Sequence, residues 1–148
     1  MGGPMLTVGS VALDTVSTPF GKVQEALGGA ASYASVAASL FTRTRVVAVV
    51  GEDFPEEHVQ ALAARGVDLT GLARAPGRTF RWAGYYEYDL AQAHTIATEL
   101  NVFESFRPAL PESYRDSPYV FLANIDPRLQ LAVLDQVRRP RLVACDTM

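Results

Sequence analysis

"RVVAVVGEDFPEEHVQALAARGVDLTGL", residues 45–72, decides how the fold is read. Val46 to Val50 are apolar without alternation, as a strand is when both of its faces are covered, and Gly51 ends the run. A helix with legible ends follows. Asp53 stands as N-cap, Glu56 three residues on completes a capping box, Pro55 is tolerated in the first turn, and Gly66 marks the stop. "VDLTGLARAPG" (67–77) then reads as a connector. A covered strand feeding a short helix is one step of a parallel α/β sheet.

Working outward, "MLTVGSVALD" (5–14) opens with an apolar run ending at Gly9, a second buried strand. "STPFGKVQEALGG" (17–29) is polar and turn-rich, a loop or an exposed hairpin. Residues 30–41 read as a helix whose small side chains permit close packing. Further on, "RTFRWAGYYEYD" (78–89) and "HTIATELNVF" (94–103) alternate and are rich in aromatic or β-branched residues. Arg81, Glu87 and Glu99 interrupt their apolar pattern, so they predict a small antiparallel sheet apart from the main one, with a turn at "DLAQA" (89–93). "YVFLANID" (119–126) is a third buried strand, residues 127–139 a helix after Asp126, and "RLVACDTM" (141–148) a fourth strand. Asp146, Thr147 and Met148 fall at the C-terminal end of that strand, where binding residues gather in open α/β sheets. The order β-α-β-α, an insertion, then β-α-β predicts a parallel sheet with flanking helices. No helix follows the last strand, so the chain reads as a domain cut short.

Composition narrows the function classes. The 148 residues suffice for one domain, and 49% hydrophobic with 20% charged residues fits a globular protein rather than a disordered one. A net charge of -3 excludes a general attraction to nucleic acid or to an anionic membrane surface. One cysteine, Cys145, rules out an internal disulfide and fits a reducing cytoplasm; its apolar setting reads as a buried strand position. No stretch reaches the roughly 18 apolar residues of a membrane span, and no basic leader precedes an apolar segment. The expected location is cytoplasmic.

Several chemistries lack their residues. Neither G-x-G-x-x-G nor G-x-x-x-x-G-K-[ST] occurs, which leaves a dinucleotide-binding fold with little support. His58 lies in a helix and His94 in the inserted sheet, so no metal set is expected, and Ser32 has no partner histidine. What remains is Asp14, just past the first strand, with Gly28 and Gly29 opening the first helix. A carboxylate can accept two hydroxyl hydrogen bonds at once, and two glycines let backbone amides approach a ligand at a helix start. The same residues read equally as a turn cap and as close packing.

In order and spacing, "VGSVALD" (8–14), "ALGGAASYASVAASLF" (26–41) and residues 45–72 resemble the N-terminal half of the ribokinase-like (PfkB) carbohydrate kinases. The resemblance implies a ribokinase-like parallel sheet with flanking helices and a small antiparallel β lid, truncated before the ATP-binding half. Lid strands would come from about 12–28 and 78–101. It implies phosphoryl transfer from ATP, with Mg²⁺, to a hydroxyl of a small-molecule sugar or nucleoside. Asp14, Gly28 and Gly29 would bind that substrate, and Asn124 and Asp126 would add polar contacts, although Asp126 reads equally as a helix cap ahead of Pro127. Phe80, Trp82 and Tyr86 would share one lid face, or pack beneath it. A homodimer through the lid is a further implication.

Two departures stand out. Tyr33 occupies the place where ribokinase proper commonly has asparagine, four residues beyond the second glycine; a tyrosine there would stack on a base or a sugar face. The family's G-A-G-D segment, which supplies the catalytic base and phosphate-holding amides, has no counterpart, since no G-x-G-D occurs in these residues. No catalytic residue is therefore expected in this chain, and it is expected not to phosphorylate anything alone. A sugar-binding or regulatory module without a kinase half is the alternative.

Overall fold

In the computed structural model, which describes residues 2–147, the strand at the centre of the main sheet is Met5–Val8 (β1). Thr44–Gly51 (β4) and Tyr119–Leu122 (β8) pair with it on either side, both parallel. Val67–Ala75 (β5) and Leu142–Cys145 (β9) complete the order β5-β4-β1-β8-β9. Met148, expected at the end of the last strand, lies outside the described residues.

The apolar run of β4 divides between two cores because successive side chains point to opposite faces. Val46, Ala48 and Val50 meet Leu62, Ala31 and Phe54 on the side of the helices Ala30–Ser39 (α1) and Glu56–Ala63 (α2). Val47 and Val49 meet Phe106, Tyr114 and Val133 on the side of the helix Pro127–Leu134 (α3) and the segment 101–114. Burial on both faces is why the sequence shows no alternation there.

The second sheet grows out of the first. β1 leads directly into Ala12–Thr18 (β2), which turns back as Gly21–Gly28 (β3), and Arg81–Tyr86 (β6) and Ala93–Glu99 (β7) extend it to the order β3-β2-β6-β7. The hairpin reading of 17–29 is the one realised. The outer pairs are antiparallel, while the central β2–β6 pair is parallel because both strands rise from the body in the same direction.

Three local expectations change. "VDLTGLARAPG" is mostly the edge strand β5, not a connector; its polar residues face outward while Val67 is buried. Asp53 does not cap α2, whose N-cap is Pro55 with no side-chain hydrogen bond. The Asp53 carboxylate is taken instead by Thr79 and Arg81. Cys145 is exposed rather than buried, because it lies on the outermost strand of the sheet. Among the described residues no helix is long and apolar enough to cross a membrane.

Candidate functional site at the root of the lid

The ends of the central strands stand side by side. The Gly9 N–H donates to the Val47 carbonyl at 3.3 Å and the Ala123 N–H to the Val8 carbonyl at 2.8 Å. Residues just past these strands therefore share the C-terminal edge of the sheet, the usual place for ligands in open α/β folds.

Ser10 holds the first helix to this edge. Its Oγ accepts the Ala30 N–H at 3.0 Å and its carbonyl accepts the Ala31 N–H at 3.0 Å, so the free donors of the helix start are met from outside the helix. Gly29, the N-cap, has φ +92°, and a Cβ there would collide with the Ser10 carbonyl. Gly28 is required for a different reason: the Asp14 carboxylate fills the space that a Cβ at 28 would need. The β2–β3 register, with Ala12 opposite Gly28 and Asp14 opposite Ala26, produces that overlap.

The Asp14 carboxylate is partly buried and makes no hydrogen bond or ion pair among the described residues. Burial pushes its carboxyl above the ordinary carboxylate range. An acceptor that is dried but unpartnered is suited to hydroxyl donors arriving on a ligand. Trp82 is its register partner across the β2–β6 pair, so the two side chains share one lid face. The Trp82 ring lies over Gly84, with Nε1–H donating to Thr95 Oγ1 at 3.1 Å. Tyr86 follows on the same face by alternation.

Phe80 goes elsewhere. It stacks on Phe103 with centroids 5.2 Å apart, and Phe103 stacks on Phe106, which joins the lid root to the body core. Phe103 also lines a cavity of about 570 Å³ with Leu100, Arg107, Asn124, Asp126 and Leu129. That volume falls within the range of small-molecule sites. Asp126 there caps α3, its Oδ1 accepting the Arg128 N–H at 2.8 Å, which, with the Arg128 side chain, holds its carboxyl below the ordinary range. Tyr33 is not part of this lining; it is exposed in a groove of about 230 Å³ between α1 and α2, with Leu27, Val36 and His58. Among the described residues, no three His, Cys, Asp or Glu side chains gather as metal ligands do.

No family model matches the sequence. Over 140 residues the chain is 29% identical to a cytidine kinase of Thermococcus kodakarensis, a match covering 93% of this chain and 49% of that kinase. It superposes on the nucleoside kinase of Methanocaldococcus jannaschii, an archaeal member of the ribokinase family, with a TM-score of 0.70 and 17% identity, covering 98% of this chain and 53% of the other. The ADP complex of the ribokinase of Cryptococcus neoformans var. grubii gives a TM-score of 0.73 and 16% identity, covering 92% and 46%. The fold is that of the ribokinase-like kinases. The chain spans about half the length of the curated relative it matches, consistent with an N-terminal half.

Within this ribokinase-like fold, the expected candidates Asp14 and Gly28 lie against each other, while the contacts of Ser10, Thr79 and Arg81 are not anticipated by the sequence. Ser10 carried a faint signal, a hydroxyl residue directly after a strand-ending glycine. Thr79 and Arg81 carried none, because their partner Asp53 is 26 and 28 residues away.

Proposed function

We propose that this chain is the substrate-binding portion of an ATP-dependent kinase that phosphorylates a hydroxyl group of a nucleoside or sugar. The observation that carries the reading is the half-buried, unpartnered Asp14 carboxylate seated over Gly28. Asp14 accepts two substrate hydroxyls, and Gly28 and Gly29 form the floor beneath them. Trp82 and Tyr86 cover the substrate, and Asn124 and Asp126 supply polar groups from the neighbouring cavity. A nucleoside is favoured over a free sugar by the similarity to a cytidine kinase, and by a lid face that offers an indole beside the carboxylate.

The lid sheet closes over the bound molecule and excludes water, which keeps the phosphoryl group from being lost to hydrolysis. Exposed Phe20, Tyr88 and Ile96 on the lid support a homodimer formed through it. ATP with Mg²⁺ is the proposed phosphoryl source. No residue of this chain is assigned to hold it, since no G-x-G-D occurs among the 148. The chain alone is therefore proposed to bind substrate without transferring a phosphoryl group.

A thermal-shift panel of cytidine, other nucleosides and ribose tests the reading, with Asp14→Asn as control. Cytidine should raise the melting temperature of the parent and not of the variant. A shift that survives the substitution removes Asp14 from its role. ATP-dependent phosphorylation by the 148-residue chain alone would refute the division of labour.

A further inference from the structure

Arg81 opens β6 on the face opposite Trp82 and joins two other segments of the chain. Its Nη1 donates to Asp53 Oδ2 at 2.7 Å and to the Thr79 carbonyl at 3.1 Å, while Nη2 and Nε donate to Glu25 Oε1 at 2.8 and 3.1 Å. Asp53 belongs to the turn after β4, in the body; Glu25 belongs to β3, in the lid. Only 17% of the Arg81 side chain is exposed, against 31% of Asp53 and 55% of Glu25, so the guanidinium and its body-side partner are sheltered while the Glu25 end meets solvent.

Both ends of the contact are fixed. On the body side, Asp53 Oδ1 accepts the Thr79 N–H at 2.8 Å and the Thr79 hydroxyl at 2.7 Å. The same hydroxyl oxygen accepts the Gly51 N–H at 2.9 Å, and Thr79 is fully buried. On the lid side, Glu25 is a non-glycine residue at φ +50°, where the β2–β3 register slips between Asp14 and Val16. Its carbonyl lies 3.1 Å from His58 Nε2 on α2. A residue held in the left-handed region costs free energy, and it persists because the surrounding contacts over-determine it. The bulge bends β3 where the Glu25 carboxylate meets Arg81.

Arg81 is adjacent to Trp82, and the register sets Leu13 opposite Arg81 and Asp14 opposite Trp82. Strands β3, β2 and β6 belong to one sheet, so a tilt of that sheet about its root would carry Gly28, Asp14 and Trp82 together relative to the edge of the parallel sheet. We infer that Arg81 is a positioning residue: clamped between Asp53 and Glu25, it sets the angle of the lid sheet over the parallel sheet, and with it where Asp14 and Trp82 stand above the strand ends. The ligand consequence rests on the nucleoside reading above; the clamp itself does not.

Trp82 is the one tryptophan of the chain, so its fluorescence reports the lid directly. Hydrogen exchange on the full 148-residue chain should show Arg81→Gln losing protection about tenfold in residues 12–28 and 81–99, while residues 44–51 and 119–122 keep theirs. Trp82 emission should move to longer wavelength, and Arg81→Lys should recover part of both effects. Unchanged lid exchange, or equal losses in lid and body, would overturn the proposal. Glu25→Gln, which leaves the Arg81–Asp53 contact in place, should give a smaller loss confined to the lid; no lid loss in that variant also overturns it. Cytidine titration of the same proteins, followed by Trp82 emission, should show weaker binding in Arg81→Gln by about tenfold. A parent chain that does not respond to cytidine counts against the nucleoside reading, and the exchange data still decide the clamp.

Discussion

The two sheets of this chain are held by different physics. The parallel sheet is built from strands β1, β4 and β8, whose Leu6, Val8, Val47, Val50, Val120 and Leu122 are nearly or fully inaccessible, with apolar clusters on both faces. The lid sheet has no such double cover. Strand β7 is exposed almost throughout and the outer half of β3 is too, so Leu13, Leu27, the Phe80–Phe103 stack, the His58–Glu25 contact and the Arg81 clamp are among its ties to the body. Burial fixes where the body strands lie. A narrow apolar seam and a few directional contacts fix how the second sheet stands over them, so it is expected to yield before the body does.

The largest expected effect lies in the body. Leu6→Ala, at a fully buried position, should cost about 2–5 kcal/mol in denaturant unfolding, with lid and body amides losing protection together. A loss confined to the lid would reverse the comparison. Gly29→Ala sits where the two sheets meet. Forcing a side chain at φ +92° against the Ser10 carbonyl should cost about 1–3 kcal/mol by the same measurement, and should loosen the start of α1. A neutral result would mean that the turn relaxes freely and that the floor is not rigid.

The smallest effects sharpen the comparison through pH. Burial raises the Asp14 carboxyl. Its favourable contribution is present below its unfolded value near 3.8 and is lost as pH rises through the folded value. Asp53 behaves oppositely. Burial alone would raise it, but the Thr79 hydrogen bonds and the Arg81 guanidinium outweigh that and hold it below 3.8, so its contribution is present above 3.8 and is lost as pH falls through the folded value. Asp14→Asn should therefore be equal to or more stable than the parent at neutral pH, with the difference gone below 3.8. Asp53→Asn should be less stable at neutral pH, and the gap should close on acidification. Denaturation midpoints across a pH series check both signs.

The same contrast explains what could be read from the sequence. The run Val46–Val50 announces a doubly covered strand, and the small residues after Gly29 announce a tightly packed helix, because burial and packing leave local composition behind. β5 was missed because an edge strand with one polar side and a glycine at 71 looks like a turn-rich connector. Asp53 was read as a cap because its nearest neighbours in sequence permit one, whereas its partners Thr79 and Arg81 arrive only with the fold. Asp14 and Gly28 were legible as candidates, but not their relation. That one carboxylate fills the space of the other's missing side chain follows from strand register alone.

In the proposed function the Asp14 carboxylate over Gly28 receives substrate hydroxyls. Calorimetric titration of cytidine into the 148-residue chain and into Asp14→Asn, run at neutral pH where the variant is expected to be no less stable, tests it most directly. The predicted result is saturable binding to the parent that weakens at least about tenfold in the variant, the cost of losing a charged hydrogen-bond acceptor. Equal affinity in the two proteins would contradict it.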